Sequence, residues 1–180
     1  MPTQAEHPAH VRFSYKKYYS FRNRIHTTFP QRFHADMQID FVSRALYYGD
    51  TQPALVMSVN PLLIAAYSDE MDAVVMLRFP ADFAETYGLM PGSRLTTSNI
   101  YFTGSQLASD IFLGENYCRQ YVDFVPIVQL FVGKKDDLIR GKSQLFGEEM
   151  WNRVRETADE YIRLHPDLSR DGFFYFKKQK

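Results

Sequence analysis

The chain has 180 residues, of which 45% are hydrophobic and 23% are charged, values that are ordinary for a globular domain with a buried core. Its 21 basic and 21 acidic residues give a formal net charge of zero, which argues against a bulk attraction to nucleic acid or to an anionic membrane. The single cysteine, Cys118, excludes an internal disulfide and a cysteine-rich zinc site, and it favours a reducing, cytoplasmic location. The chain shows no signal-peptide pattern and no apolar run near the roughly 20 residues that cross a bilayer. We therefore expect no membrane association.

The first 48 residues divide into three parts. Residues 1–10 are polar and contain two prolines, so they are predicted to be disordered, with a single domain over 11–180. Segment 11–34 holds six Lys/Arg and seven Phe/Tyr but no acidic residue. Because the whole chain is neutral, the remainder must carry the compensating negative charge. Residues 35–48 have apolar side chains at helical spacing before Gly49 and predict a helix.

Three short apolar runs, at 54–59, 62–67 and 73–79, are rich in Val, Ile, Leu and Met. Runs of this length bounded by turn residues are typical of core strands. The second and third runs are predicted to form a hairpin whose tip, the acidic segment 69–72, is solvated. This strand group should be the scaffold on which the rest of the chain packs.

The second half alternates between helical and strand patterns. Residues 148–164 carry an apolar stripe that ends before Pro166 and predict a long amphipathic helix. Pro126 cannot donate a hydrogen bond to a neighbouring strand, so the strand containing it should lie at an edge or bend there. The other predicted elements are a short helix at 81–87, a strand at 94–103, a helix at 106–112, a strand at 121–132, a broken helical turn at 137–145 and a strand at 173–176.

This order of elements predicts an α+β fold in one domain. Consecutive strands joined by short turns favour a mostly antiparallel or mixed sheet, here of about five to six strands, with helices packed on it. We expect the 148–164 helix to cover one face of the sheet and the N-terminal segment to cover the other.

Signatures of common catalytic and metal sites are missing. The sequence has no HExxH, GxSxG or GxGxxG motif. Gly141-Lys142-Ser143 lacks the upstream glycine of a phosphate loop, since Asp136 stands at that position. No known motif surrounds Cys118 or His165, and the acids of 69–72 lack the spacing of a calcium loop. The spacings of His26, His34, Asp36 and Asp40 match no established ligand pattern. We therefore predict no cofactor and no metal.

Segment 11–34 gives the leading functional hypothesis, a non-catalytic protein that binds a protein partner. Tyr, Phe and Arg are enriched at the centres of protein interfaces, and the acidic hairpin tip offers a second contact. The residues predicted to form the partner-binding face are Arg12, Phe13, Tyr15, Lys16, Lys17, Tyr18, Tyr19, Phe21, Arg22 and Arg24.

Two other functions compete with this one. Alternating basic and aromatic side chains in 11–34 could neutralise phosphates and stack on the bases of single-stranded RNA. Alternatively, the chain is a small-molecule enzyme with a pocket between sheet and helix that uses Asp123, Tyr101 or His34. A structural role for 11–34 is also open: a strand or extended arm whose rings pack on the core and whose charges pair with the acidic remainder.

Overall fold

The structure, a computed structural model, describes residues 7–178. Its centre is a seven-stranded sheet with the strand order β5-β3-β2-β1-β4-β6, to which β7 is added beside β3. The strands are β1 (Asp50–Val59), β2 (Leu62–Ser68), β3 (Ala73–Phe79), β4 (Arg94–Phe102), β5 (Ile111–Leu113), β6 (Asp123–Val128) and β7 (Arg170–Asp171). Among the described pairings only β3 with β7 is parallel, so the predicted α+β fold with a mostly antiparallel sheet is confirmed.

Seven α-helices and two short 3₁₀ helices accompany the sheet within residues 7–178. The 3₁₀ helices cover Lys142–Leu145 and Phe174–Phe176. The α-helices are α1 (Tyr15–Ile25), α2 (Phe29–Met37), α3 (Ile39–Tyr48), α4 (Asp82–Thr86), α5 (Gln129–Val132), α6 (Asp136–Gly141) and α7 (Glu148–Leu164).

The sheet is curled, so that its two ends approach each other. At one end, β5 and β7 both pair with β3. At the other end lies β6, which carries Pro126 and pairs with β4; the edge position predicted from this proline is confirmed. Arg170 of β7 binds the Asp123 carboxylate and the Phe124 carbonyl of β6, which links the two ends directly.

Each face of the sheet has its own hydrophobic core. On one face, α7 packs Trp151, Val154, Ala158 and Tyr161 against β1, β2 and β3. On the other, α1 and α3 pack against the sheet together with the aromatic C-terminal segment. The predicted bounds of the 148–164 helix and its place on one face are confirmed, as is the N-terminal segment on the opposite face.

The prediction of a strand or arm for 11–34 is wrong, since the segment forms α1 and most of α2. The Ser14 hydroxyl accepts a hydrogen bond from the Lys17 amide at 3.3 Å and caps α1. Pro30 stands in the first turn of α2, where a missing amide proton costs nothing. The helix predicted over 35–48 is therefore two helices, which meet at Gln38.

Three further predictions fail where tertiary contacts decide the conformation. Residues 106–110 are irregular and lead into β5, which pairs with β3, so no helix forms over 106–112. The strand predicted over 121–132 ends at Val128 and continues as α5. The strand predicted at 173–176 is mostly 3₁₀ helix, with Phe173 packed against the Phe21 ring at 4.7 Å.

The prediction of a disordered N-terminus bears on two groups of residues. Residues 1–6 lie outside the described residues. From His7 onward the chain follows the start of β1: the Ala9 amide donates to the Gly49 carbonyl at 2.9 Å, and Ala9 is buried. This part of the segment belongs to the fold.

Candidate functional site

The residues predicted to form the N-terminal partner-binding face divide between core and surface. Phe13, Tyr18 and Phe21 are buried. The Tyr18 ring lies 4.9 Å from that of Phe176, so these rings join α1 to the C-terminal segment. Their burial supplies hydrophobic stabilisation and leaves them no surface on which a partner or a base could stack.

Three of the predicted cations are already paired. The Lys17 ammonium lies 2.7 Å from the Asp136 carboxylate. The Arg22 guanidinium donates two hydrogen bonds to Asp36, at 2.9 and 2.5 Å. Arg24 pairs with an aspartate of α4 at 2.6 Å. As expected from the charge distribution, the basic segment meets acidic residues from the rest of the chain.

Besides the paired Arg24, four members of the predicted face are exposed, namely Arg12, Tyr15, Lys16 and Tyr19. The Arg22 guanidinium sits 5.6 Å from the centre of the Tyr19 ring, a cation–π contact that orders this ring at the surface. The role of these four residues in partner binding stays a prediction.

A larger exposed feature lies on α2 and α3. Phe29, Phe33 and Met37 recur at every fourth residue of α2, and Phe41 and Tyr48 stand two turns apart on α3, so each group lies along one side of its own helix. We call this set the apolar stripe: Phe29 (72% exposed), Phe33 (58%), Met37 (64%), Phe41 (39%) and Tyr48 (66%). The first two rings are stacked with their centres 6.2 Å apart. Taking about 200 Å² for each residue, roughly 600 Å² of apolar surface is uncovered, the upper end of what monomers show.

The apolar stripe runs into a groove of about 880 Å³ beside α3, which we call the α3 groove. Its walls are α3, the start of β1, the turn between β2 and β3, and the end of β4. Three carboxylates (Asp40, Asp50 and Glu70) line it together with Arg44 and His10. The apolar part of the wall includes Phe41, Tyr48, Ile100 and Tyr101.

The floor of the α3 groove rests on a buried polar network. Asp50 accepts hydrogen bonds from the Gln52 amide group at 2.5 Å and from the His7 backbone at 3.2 Å. Asn99 accepts from the Thr97 hydroxyl at 2.7 Å and donates to the Tyr67 carbonyl at 3.0 Å. Buried polar groups that are satisfied in this way rigidify their surroundings, so the groove offers fixed charges on a stiff wall.

The predicted acidic hairpin tip is only partly solvated. Asp69 and Glu70 are exposed, but Met71 and Asp72 are buried. The Asp72 carboxylate accepts a hydrogen bond from the Tyr67 hydroxyl at 2.5 Å, which explains why an acid is found inside. The hairpin itself is confirmed by the pairing of β2 with β3.

The residues suggested for an enzyme pocket are not brought together. Tyr101 lines the α3 groove, where burial raises the pKa of its hydroxyl and keeps it protonated. Asp123 is held by Arg170 at 3.0 Å, and His34 lines a different cavity. Cys118 is exposed. Within residues 7–178 no group of three or more His, Cys, Asp or Glu side chains is placed to hold a metal ion.

That second cavity, of about 430 Å³, lies between the end of α1, the start of α2 and the C-terminal segment. His26 lines it, is 2% exposed, and has a buried Nε2 atom without a hydrogen-bond partner. Leaving such an atom unpaired costs about 1–3 kcal/mol. From the sequence, His26 was a candidate only as a metal ligand. Its role in this cavity could not be predicted, because some of its neighbours there come from the distant C-terminal segment.

The His26 imidazole should make stability depend on pH. Burial and the nearby Lys177 ammonium lower its pKa from an ordinary value of about 6.5, with Arg22 acting in the same direction and Asp171 and Asp36 opposing them. Since the unfolded chain binds this proton more readily, the free energy of unfolding should fall as the pH drops below about 6.5, by at most about 1.4 kcal/mol per pH unit. Urea denaturation at a series of pH values measures this pH dependence of the free energy of unfolding.

The matched comparison is His26→Asn against His165→Asn, since His165 is exposed. The pH dependence should be shallower in the first variant and unchanged in the second. Equal slopes in all three proteins would contradict the assignment to His26.

No described helix has the length and apolar character of a membrane span. A comparison of the chain with known protein families, curated proteins and solved structures finds no match.

Proposed function

We propose that this protein binds a basic segment of a protein partner, with the apolar side chains of the segment on the apolar stripe and its cation in the α3 groove. The observation that carries the proposal is the continuity of the two features: an exposed stripe on α2 and α3 leads into an 880 Å³ groove that holds three carboxylates.

The apolar stripe supports an interface with protein. The largest apolar patch of a monomer, at the upper end of the usual size range as here, is often a functional site. The roughly 600 Å² of the apolar stripe is most of the roughly 800 Å² that each partner buries in a standard protein–protein interface. Aromatic side chains and Met, the residue types of the stripe, are those enriched at the centres of such interfaces.

The charges of the α3 groove favour a basic partner. Asp40, Asp50 and Glu70 outnumber the one arginine, Arg44, and like charges across an interface cost affinity. A Lys or Arg side chain entering the groove would also meet the faces of aromatic rings, which attract cations. The same carboxylates disfavour a nucleic acid, whose phosphates they would repel.

The test uses a peptide selected on the protein from a random displayed library, with its affinity measured by fluorescence polarisation. We expect the selected peptides to share a basic residue flanked by apolar ones. The double substitution Phe33→Ser and Met37→Ser removes two anchors and should weaken binding by about thirtyfold or more, since truncating an interface anchor typically costs 1 kcal/mol or more. Asp40→Asn should weaken it by a smaller factor that shrinks at high salt.

A matched control replaces two apolar residues that are equally exposed but lie outside the stripe, Met90→Ser and Leu145→Ser, and it should leave the affinity unchanged. Equal losses in both double variants would overturn the proposal. So would a concentration-dependent dimer that the stripe substitutions abolish, because a second copy would then be the occupant. Binding of a single-stranded oligonucleotide that the same substitutions abolish would overturn it in favour of nucleic acid.

A further inference from the structure

The cavity beside His26 is separate from the surface to which the partner-binding function is assigned. It is lined by the first turns of α2, through Pro30, Gln31 and His34, whereas the apolar stripe uses Phe29, Phe33 and Met37 of that helix. The remaining walls come from the end of α1 and from the C-terminal segment. A ligand here would therefore lie on a different side of α2 from the proposed partner.

Basic side chains surround this cavity, and no carboxylate among residues 7–178 lines it. Lys177, Lys178, His34 and His26 all contribute to its wall. Of the neighbouring acids, Asp36 is bound by Arg22 and by the Tyr18 hydroxyl, and Asp171 accepts one of the three donors of the Lys177 ammonium, which leaves two for a ligand. The start of α2 adds the positive end of a helix dipole. The local charge favours an anion.

The buried Nε2 atom of His26 points to a ligand more specifically than charge does. It is one of two buried side-chain polar atoms in residues 7–178 that have no hydrogen-bond partner, the other being the Tyr175 hydroxyl oxygen. Nearly all buried polar groups in folded proteins are paired, so an unpaired one calls for an explanation. Because His26 lines the cavity, a hydrogen-bonding ligand bound there would supply the partner that this nitrogen lacks.

We propose that this cavity binds a small phosphate monoester, with the dianionic phosphate held by His26, His34, Lys177 and Lys178. Two ammonium groups attract a dianion more strongly than a monoanion, since Lys binds phosphate as a point charge, and the two imidazoles can donate hydrogen bonds to its oxygens. The apolar part of the ester would contact Ile25 and Phe176, which form the uncharged wall. A volume of about 430 Å³ lies within the usual range of small-molecule sites.

The test titrates the full chain with phenyl phosphate, inorganic phosphate, benzoate and benzyl alcohol, and it measures affinity by calorimetry and the His26 ring signals by NMR. We expect phenyl phosphate to bind most tightly and to shift the His26 signals, with inorganic phosphate weaker and benzoate weaker still. His26→Asn, and separately Lys177→Gln with Lys178→Gln, should each weaken phenyl phosphate binding by about tenfold or more, as expected for lost hydrogen bonds to a charged group.

The matched controls are His165→Asn and the double substitution Lys134→Gln with Lys135→Gln, which remove an exposed histidine and an adjacent exposed lysine pair elsewhere. Both should bind phenyl phosphate as the unaltered protein does. If His26→Asn does not fold, the exposed Lys177 and Lys178 pair decides the question alone. The absence of phenyl phosphate binding at millimolar concentration, equal binding of benzyl alcohol, or equal losses in the control variants would each overturn the proposal.

Discussion

Replacing Arg170 with alanine should lower the free energy of unfolding by about 3–5 kcal/mol, the range found when one partner of a buried ion pair is removed. The Arg170 side chain is only 9% exposed. Its guanidinium donates two hydrogen bonds to the Asp110 carboxylate, at 2.7 and 2.5 Å, and one to the Asp123 carboxylate at 3.0 Å. Without it, the partly buried carboxylates of Asp110 and Asp123 lose the cation that they share. Denaturation in urea followed by circular dichroism measures the loss.

The effect should be large because Arg170 closes the curl of the sheet. It lies on β7, beside β3, and it reaches β6 at the opposite end of the strand order through Asp123 and the Phe124 carbonyl. Asp110 brings in α7 as well, since its backbone carbonyl accepts the Tyr161 hydroxyl at 2.8 Å. One side chain therefore links β7 to β6 and, through Asp110, to α7.

Two further variants separate charge from geometry. Arg170→Lys keeps the charge but not the planar fork that binds a carboxylate through two parallel bonds, so its loss should be intermediate. Arg163→Ala breaks an exposed pair with Glu160 on α7 and should change stability by less than about 1 kcal/mol. If Arg170→Ala were as mild as Arg163→Ala, the two ends of the sheet would be held together by packing alone.

Helices and strands with a long or uninterrupted pattern of apolar residues could be predicted from the sequence. The α7 stripe repeats over four turns, and the three apolar runs at 54–79 are separated by turn residues, so local signals and tertiary contacts agree there. Short aromatic segments were less predictable. The 173–176 segment has the β-propensity of a strand, but its rings fill a gap beside α1, and packing overrides propensity.

Helices α1 and α2 were not predicted, although the sequence carries helical signals there. Tyr18, Phe21 and Ile25 stand at helical spacing, and Ser14 and Thr28 stand at their N-termini as caps do. The many basic and aromatic residues of 11–34 are typical of a binding face and led to that prediction. In the structure several of the rings are buried, because the helix packs on the sheet. The four-residue spacing of Phe29, Phe33, Met37 and Phe41 is also visible in the sequence. However, apolar residues at this spacing usually face the core, and only the structure shows that these are exposed.

Neither cavity could be predicted from sequence. The α3 groove joins Asp40 to Glu70 and Tyr101, and the second cavity joins His26 to Lys177. Residues so far apart in the chain become neighbours only when the sheet curls and the C-terminal segment returns to α1. A single sequence contains no local signal for such contacts.

Replacing Asp72 with alanine should lower the free energy of unfolding by about 2–4 kcal/mol, because the buried Tyr67 hydroxyl loses its acceptor, at a cost of about 1–3 kcal/mol, and a second hydrogen bond is lost with it. The Tyr67 hydroxyl donates to the Asp72 carboxylate at 2.5 Å, and the backbone amide of Asn116, an exposed residue, donates to it at 2.8 Å. Burial and the adjacent Asp72 raise the pKa of Tyr67, so its hydroxyl stays protonated and requires an acceptor. Asp72 also has a positive φ of 45°, which alanine adopts at a cost. Urea denaturation measures the loss.

The comparison with Asp72→Asn and Asp69→Ala tests this account of the hairpin tip. Asparagine tolerates a positive φ and keeps one acceptor oxygen, so it should lose about half as much stability as alanine. Asp69 lies in the same turn but is exposed, and its replacement should change stability by no more than about 0.5 kcal/mol. Equal effects of Asp72→Ala and Asp69→Ala would mean that the turn behaves as a solvated acidic tip. A large loss confined to Asp72 would show that its buried carboxylate anchors the turn that carries Glu70 to the α3 groove.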